Sequence, residues 1–237
     1  MASEFTVIGG GVAGLIGAIA LAEKGARVRL LERSAHLGGR AGTQHQKGFT
    51  LNMGAHALYR NGALYQVLRR WGIPFSGRPP KLRESASLVA RGRRFLFPVD
   101  AVRLFLTQAL SLPDKLQAAG LLRKLGSRSF APAPELTVKQ WLDQESLRPN
   151  VRGLAEMLIR LSTYSNDMAA LSAAAAVAQV QLGIHSGVLY LDGGWETLIE
   201  GLQAKAQAMG VIIEAGQSAD SVEPGTIWPY RRKKWNG

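Results

Sequence analysis

The first 32 residues combine apolar runs and glycines in an order that restricts the fold of this chain more than any other feature. A β-favouring run at residues 5–8 precedes a glycine-rich turn at residues 9–14, a helix-favouring stretch to Lys24, and a second apolar run at residues 28–31 that ends at Glu32. Strand, tight turn, helix and strand in this order are typical of a βαβ unit. The sequence therefore predicts an α/β fold that begins with two strands joined by a helix.

The glycines of the turn follow the spacing G-x-G-x-x-G, with Gly9, Gly11 and Gly14. The first glycine of this pattern permits a tight turn, the second lets a pyrophosphate approach bare backbone, and the third lets the helix lie close to the sheet. The N-terminus of the helix, with Val12 and Ala13, presents unpaired N–H groups and the positive end of the helix dipole. We therefore expect these five residues to bind the diphosphate of a dinucleotide.

The acid at the end of the second strand indicates which dinucleotides fit. Glu32 lies 18 residues after Gly14 and can accept hydrogen bonds from both hydroxyls of a ribose. Its charge would repel a 2′-phosphate, which disfavours NADP. The neighbouring Arg33 keeps a phosphorylated ribose open as an alternative.

A membrane interpretation of the same region has to be weighed, because residues 5–22 contain no charge. Such a run could be the apolar part of a signal peptide or a transmembrane helix. However, Glu4 stands where a basic region should precede a signal, and five glycines lie within residues 9–17. A second strand that ends in an acid then follows. We therefore favour the dinucleotide site.

The composition excludes several classes of site. The chain of 237 residues has no cysteine, which rules out disulfides, thiolate zinc sites and a cysteine nucleophile. Its four histidines show no metal-ligand spacing, and we predict no metal site. With 46% apolar residues the chain can bury a core as one large domain or two modest ones.

Most of the net charge of +12 lies in one basic segment, residues 61–130, which holds 13 Lys and Arg against 3 Asp and Glu. Nucleic acid, an anionic membrane or an acidic ligand could each bind to this segment. The segment has no aromatic RNA-binding signature, so we expect no nucleic acid. Apolar residues beside arginines at residues 95–112 are typical of an interfacial helix, although the solvated face of a folded domain is favoured. We expect a cytoplasmic protein, with peripheral membrane contact through the basic segment as an alternative.

Residues 36–43, His-Leu-Gly-Gly-Arg-Ala-Gly-Thr, resemble the R-x-G-G-R-x-x-[ST] box of the amine oxidase, phytoene desaturase and protoporphyrinogen oxidase group of FAD enzymes. His36 replaces the leading arginine of that box. The resemblance implies that the dinucleotide is FAD and that Gly39 and Arg40 lie near its pyrophosphate. An NAD-linked dehydrogenase is disfavoured by the same residues.

Two further stretches are similar to that family. Residues 51–56 match a segment that passes the flavin, which implies cofactor contacts for Gly54, Ala55 and His56, although His56 is better explained as a structural histidine than as a catalytic one. Residues 190–216 match the return of the chain to the FAD domain through a glycine pair, a helix and a strand. The resemblance implies that the loop after this strand touches adenine through the backbone of Ala219.

The resemblance predicts the fold class and the domains. We expect an α/β protein in which a Rossmann-like FAD-binding domain, residues 1–58 and 186–225, carries an inserted, largely helical substrate domain at residues 59–185. Within the insert, the residue patterns predict a helix at residues 63–71, a hairpin at residues 87–97, a capping box at residues 137–140, and helices at residues 150–161 and 167–181. Residues 226–237 form an atypical basic tail.

The implied activity is FAD-dependent oxidation of an amine, or of a lipophilic polyene or porphyrinogen-like substrate, by hydride transfer to flavin N5. No catalytic residue can be named from the sequence. The alternative is a non-catalytic nucleotide-binding or membrane-docking fragment that retains the fold. Because members of the family are longer, we expect a truncated or frameshifted reading of a longer gene, with a natural short form as the other interpretation.

Overall fold

The computed structural model of the protein describes residues 3–54, 56–90, 92–223 and 226–229. The helices in this part of the chain are α1 (Val12–Ala22), α2 (Ala63–Arg70), α3 (Leu82–Ser85), α4 (Ala101–Leu106), α5 (Leu112–Leu125), α6 (Val138–Gln144), α7 (Pro149–Thr163), α8 (Ala173–Ser186) and α9 (Glu196–Ala208), with a turn of 3-10 helix at Gly39–Ala41. The strands are β1 (Glu4–Ile8), β2 (Arg27–Glu32), β3 (Thr43–Gln46), β4 (Phe49–Asn52), β5 (Leu58–Tyr59), β6 (Gly77–Arg78), β7 (Ser87–Ala90), β8 (Arg93–Leu96), β9 (Val188–Leu191), β10 (Ile212–Ala215), β11 (Ala219–Glu223) and β12 (Thr226–Pro229). The chain divides into two compact units. Of the described residues, those within 1–58, 63–78 and 190–237 form the first unit, and those within 59–62 and 79–189 form the second.

The first unit is built on a parallel sheet in the strand order β1-β2-β10. Leu30 in the central strand β2 is opposite Val7 of β1 and Ile213 of β10. Helix α1 connects β1 to β2 and buries Leu15 and Ile19 completely against the same core as Leu30. The predicted βαβ unit is therefore confirmed, because the apolar residues of two short strands and one helix share a single buried face.

Helix α9 packs beside α1 and completes this core with Leu198, Leu202 and Ala206, all fully buried. The sequence predicted this helix and the strand after it to within a few residues. Residues 63–78, which the sequence assigned to the inserted segment, pack instead with the first unit. The physical reason is that α2 buries Leu68 and the following turn buries Ile73 in the core of the first unit.

The second unit is largely helical and has a separate core, which is formed mainly by α5, α6, α7 and α8. Helix α6 begins with a capping box in which the N–H of Gln140 donates to Thr137 Oγ1 and the N–H of Thr137 donates to Gln140 Oε1. The predicted hairpin is also confirmed, with Ser87 of β7 opposite Leu96 of β8. No helix in the described part of the chain is long and apolar enough to cross a bilayer.

The predicted helix at residues 167–181 was placed too early, since α8 begins at Ala173. The carboxylate of Asp167 accepts hydrogen bonds from the N–H groups of Ala169 and Ala170, both at 3.0 Å, and so closes a turn. Ser172 caps the helix instead, through its hydroxyl and the N–H of Ala175. Asp and Ser favour turns and helix starts alike, so the sequence alone could not separate these two roles.

The apolar stretch at residues 95–112 does not form one continuous helix. Its first residues belong to β8, Asp100 caps the short helix α4, and Ser111 caps α5 with Asp114 in a capping box. At the other end of the chain, residues 226–229 of the predicted tail form β12 and pair antiparallel with β11. The rest of the tail, residues 230–237, lies outside the described residues.

Candidate dinucleotide site

The chain leaves β1 through Gly9, whose φ of +101° lies in the left-handed region that favours glycine. The N–H of Gly9 donates to the carbonyl oxygen of Leu31 at 2.7 Å, which continues the pairing of β1 with β2 into the turn. Helix α1 then begins directly after Gly11. The turn therefore brings the N-terminus of α1 to the carboxyl end of the parallel sheet, which is where ligands bind in such folds.

Gly14 is required by the packing of α1 on the turn. A Cβ atom at this position would lie 1.8 Å from the carbonyl oxygen of Gly9, which is backbone and cannot move aside. The third glycine of the pattern therefore allows the close approach that the sequence predicted.

Gly11 has a different reason to be glycine. A Cβ atom there would meet only the carbonyl oxygen of Gly38, at an ordinary 3.7 Å, so the fold has room for a side chain. Gly11 is the N-cap residue of α1 and offers no side-chain cap to the first turn, where Val12 is half-buried and Ala13 is exposed. Open space in front of uncapped N–H groups fits an anionic ligand that approaches the backbone.

Glu32, expected to bind a ribose, also holds the glycine turn together. Its Oε2 accepts the N–H of Gly10 at 2.7 Å, and its Oε1 accepts the N–H of Ser34 at 2.8 Å. A carboxylate has about four acceptor positions, so about two remain for further donors. The adjacent Arg33 is exposed.

Sequence reasoning assigned no role to Gly10, although the structure gives it one. A Cβ atom at Gly10 would lie 2.4 Å from Cδ2 of Leu37 and 3.0 Å from Cβ of Glu32. The run of three glycines at residues 9–11 was the available signal, because only two of them are needed by the spacing rule.

The second glycine pair lies against the first turn. The N–H of Gly38 donates to the carbonyl oxygen of Gly10 at 2.9 Å, and a Cβ atom at Gly39 would lie 3.9 Å from Cα of Gly11. Both Gly38 and Gly39 have positive φ angles, +109° and +53°. The next residue, Arg40, is exposed, and among the described residues no ion pair engages its guanidinium. The structure therefore brings an accessible arginine next to the glycine turn at residues 9–14.

The other residues that the sequence predicts to contact the cofactor are Gly54, Ala55, His56 and Ala219. A Cβ atom at Gly54 would lie 2.2 Å from the carbonyl oxygen of Arg40, so Gly54 packs directly beneath the second turn. His56 is exposed, and Ala55 lies outside the described residues. Ala219 opens β11.

The segment before Ala219 runs along the end of β2. The N–H of Gln217 donates to the carbonyl oxygen of Glu32, and the N–H of Gly216 donates to that of Ser34, both at 2.8 Å. Residues that are far apart in sequence are therefore joined at the predicted ribose position by backbone hydrogen bonds.

A clamp that the sequence did not reveal joins the hairpin β3–β4 to the start of α9. The N–H of Trp195 donates to Asn52 Oδ1 at 3.0 Å, and the N–H of Glu196 donates to Thr43 Oγ1 at 3.1 Å. The hydroxyl of Thr43 in turn donates to Asn52 Oδ1 at 3.2 Å. Two N–H groups at the N-terminus of α9 are thus bonded to protein side chains, unlike the first turn of α1.

Gly194 explains why a glycine pair precedes α9. Its φ is +81°, and a Cβ atom would lie 2.8 Å from Asn52 Oδ1 and 3.0 Å from Thr43 Oγ1. The clamp therefore needs a residue without a side chain at this position. Nε2 of His45 also lies within hydrogen-bond distance of Oε2 of Glu196, at 2.8 Å, but both side chains are well exposed, so the contribution of this contact is small.

A pocket of about 570 Å³ lies nearby, between α9, β10 and the loop at residues 35–37. Its lining is polar on the side of α9, with Glu196, Glu200 and Gln203. The pocket does not include the glycine turn or Glu32. The uncapped N–H groups of α1 and the carboxylate of Glu32 therefore lie outside this pocket, at the strand ends, where dinucleotides bind in an open crevice in folds of this type.

The chain is similar to a known oxygenase over most of its length and to a known oxidase over about half of it. It is 23% identical over 256 residues to a 4,4′-diaponeurosporene oxygenase from Staphylococcus haemolyticus, a match that covers 93% of this chain and 50% of that protein. It is 30% identical over 125 residues to a coproporphyrinogen III oxidase from Propionibacterium freudenreichii, covering 48% of this chain and 24% of that protein.

Solved structures agree at the level of the fold. The structure of wild-type putrescine oxidase bound to putrescine superposes with a TM-score of 0.68 and 19% identity, covering 92% of this chain and 52% of that one. The chain thus spans about half the length of the oxygenase and of the putrescine oxidase. The family model of flavin containing amine oxidoreductases matches residues 12–219. These matches and the glycine turn show that the chain belongs to the flavin containing amine oxidoreductase family.

Proposed function

We propose that the chain is the dinucleotide-holding portion of an FAD-dependent oxidoreductase. The observation that carries the proposal is the contrast between Gly14 and Gly11. The fold forbids a side chain at Gly14, whereas it leaves space in front of Gly11 and the uncapped first turn of α1. A glycine that the fold does not need is explained by a ligand that approaches the backbone.

The described residues fit the ADP part of FAD. The first turn of α1 would supply backbone N–H groups for the diphosphate, and the exposed guanidinium of Arg40 would supply a positive charge beside them. Glu32 keeps two acceptor positions for ribose hydroxyls. The backbone of Ala219 would contact adenine, and the segment with Gly54, Ala55 and His56 would pass the flavin.

FAD, when bound, supplies the hydride acceptor at N5 of its ring system. The residues of this chain contribute by binding and orienting the dinucleotide. Gly11 and Gly39 allow close approach, Glu32 fixes the ribose, and the clamp of Thr43 and Asn52 holds the hairpin on α9. Residues 59–185 would supply the substrate domain that the sequence predicts.

The proposed substrate is an amine, or a lipophilic polyene or porphyrinogen-like molecule, whose C–N or C–H bond is oxidised. The description of the family supports an amine. The similarity to a diaponeurosporene oxygenase supports a polyene, and the similarity to a coproporphyrinogen oxidase supports a porphyrinogen.

Titration of the chain with FAD, followed by calorimetry, tests the proposal directly. We expect binding by the wild-type chain and loss of binding in Gly11→Val, because the side chain would occupy the space of the diphosphate. Gly17→Val is the matched control, since a Cβ atom there meets nothing within 4 Å and the residue lies in the middle of α1. Equal affinity of all three proteins for FAD would remove the proposed site.

Catalytic turnover is tested by a separate measurement, the absorbance of bound flavin. If the chain is an oxidoreductase by itself, anaerobic addition of an amine or polyene donor should lower the absorbance of bound flavin at about 450 nm. Binding of FAD without any such reduction would support the alternative of a nucleotide-binding fragment.

A further inference from the structure

The second unit exposes a group of large apolar side chains on two consecutive helices. Their relative exposures run from 46% for Phe105 to 65% for Val102 and Leu112. We define this group as the α4–α5 apolar face: Val102, Phe105, Leu106, Leu112 and Leu116. Single exposed apolar residues are normal on a protein surface, but a contiguous group marks an interaction site.

The helices that carry the face are otherwise well packed. Val102, Phe105 and Leu106 are spaced i, i+3 and i+4 on the outer side of α4, whereas Leu104 between them is buried. On α5, Leu112 and Leu116 are outside, while Ala118 and Leu121 belong to the core of the second unit. The exposed leucines are therefore additional to the residues that the core needs.

A hydrogen bond joins the two parts of the face. The ammonium group of Lys115 on α5 donates to the carbonyl oxygen of Phe105 on α4 at 2.7 Å. The N-termini of both helices are capped, by Asp100 for α4 and by Ser111 for α5. The two outer faces are thus held next to each other by a tied and capped turn.

The surroundings of the face are positively charged. Arg103 and Lys115 lie on the same helices, and Arg123 is exposed at the end of α5. The acids of residues 86–123 are both engaged. Asp100 caps α4 and lies 2.8 Å from Arg83, and Asp114 is buried with hydrogen bonds from Arg148 and Asn150.

We propose that the α4–α5 apolar face docks on the surface of a bilayer that contains anionic lipids. Exposed leucines beside arginines and a lysine are the chemistry of an interfacial anchor, in which apolar side chains enter the acyl boundary and basic groups meet lipid phosphates. A nucleic acid would use the charge but not the leucines. A second copy of the chain would bring two positively charged faces together.

Flotation with vesicles tests this proposal without any need for FAD. The 237-residue chain is mixed with vesicles of phosphatidylcholine alone, or of phosphatidylcholine with phosphatidylglycerol. We expect binding to the anionic vesicles, weaker binding to the neutral ones, and release at high salt because surface charges are screened.

Substitutions test whether vesicle binding depends on the α4–α5 apolar face or is nonspecific adsorption. The double variant Leu106→Asp/Leu116→Asp should lose at least about tenfold in vesicle affinity, since both apolar contacts are replaced by charges that anionic lipid repels. The matched control is Leu161→Asp, a leucine of similar exposure, 58%, that lies on α7 outside the face. It should bind as the wild type does. A Leu106→Ser/Leu116→Ser variant repeats the test without added charge, and circular dichroism checks that each protein is folded.

The proposal is overturned if the folded wild-type chain does not bind to anionic vesicles, or if the face variants bind to them as well as Leu161→Asp does. Sedimentation in the absence of lipid distinguishes the main rival occupant. A dimer that dissociates in the double variant, together with no vesicle binding, would assign the face to a second copy of the chain.

Discussion

The N–H of Gly10 donates to Oε2 of Glu32 at 2.7 Å, so the acid at the end of β2 holds the turn that leaves β1. The same carboxylate accepts the N–H of Ser34. This side chain fixes the glycine turn, and we propose that it also presents its remaining acceptor positions to a ribose. Substitutions at Glu32 should therefore affect both the stability of the fold and the affinity for a dinucleotide.

Replacing Glu32 with alanine should lower the free energy of unfolding by about 1–3 kcal/mol, since two backbone donors lose a charged acceptor. It should also weaken FAD binding by a further ~1.5–3 kcal/mol from the lost hydrogen bonds to the ribose. Urea unfolding and calorimetric titration measure the two effects separately. Glu32→Gln, which keeps one acceptor oxygen, should lie between alanine and wild type. An alanine variant with unchanged unfolding midpoint contradicts the structural role of Glu32.

Replacing Gly14 with alanine should destabilise the first unit by at least about 2 kcal/mol, because the new methyl group would collide with the carbonyl of Gly9. Gly11→Ala should change the free energy of unfolding by less than ~1 kcal/mol, since the position is an N-cap with open space. Thermal unfolding measured without ligand compares them. Similar losses in both variants would mean that Gly11 is also a packing glycine.

Replacing Asn52 with alanine should cost about 1–2 kcal/mol of stability, because the N–H of Trp195 and the hydroxyl of Thr43 both lose their acceptor. Asn52→Asp is the conservative control, as it retains the oxygen that both groups use and adds a negative charge near the N-terminus of α9. Chemical unfolding provides the measurement. If the aspartate variant is as unstable as the alanine variant, the clamp does not act through this oxygen.

The buried carboxyl group of Asp114 should make the second unit sensitive to acid. Hydrogen bonds from Asn150, Arg148 and Ser111 hold the pKa of Asp114 far below its ordinary value. Because the pKa is lower in the folded state than in the unfolded state, this stabilisation is fully present above about pH 4 and is lost as the pH falls towards the folded-state value.

The free energy of unfolding, measured between neutral pH and about pH 3, checks the effect of Asp114. In the wild type it should decrease as the pH falls through the ordinary range of a carboxyl group. Asp114→Asn should be less stable than wild type at neutral pH and should show a shallower decrease. Parallel curves for the two proteins would exclude Asp114 as a source of the acid sensitivity.

Local patterns predicted the elements that depend on neighbours in sequence. The βαβ unit, the capping box at Thr137 and the hairpin at residues 87–97 all follow from side-chain periodicity and turn chemistry within about a dozen residues. The prediction was wrong at Asp167, where the same side chain that can cap a helix closes a turn instead.

The sequence by itself determined that this chain begins with a βαβ unit whose turn carries the glycine spacing of dinucleotide-binding folds, because those glycines act on the backbone next to them. Only the tertiary structure decided that Glu32 accepts the N–H of Gly10, that Asn52 accepts the N–H of Trp195, 143 positions away, and that Leu106, Leu112 and Leu116 are exposed. These relations depend on which distant segments pack together. That choice is made by the whole buried core, and no short run of residues encodes it.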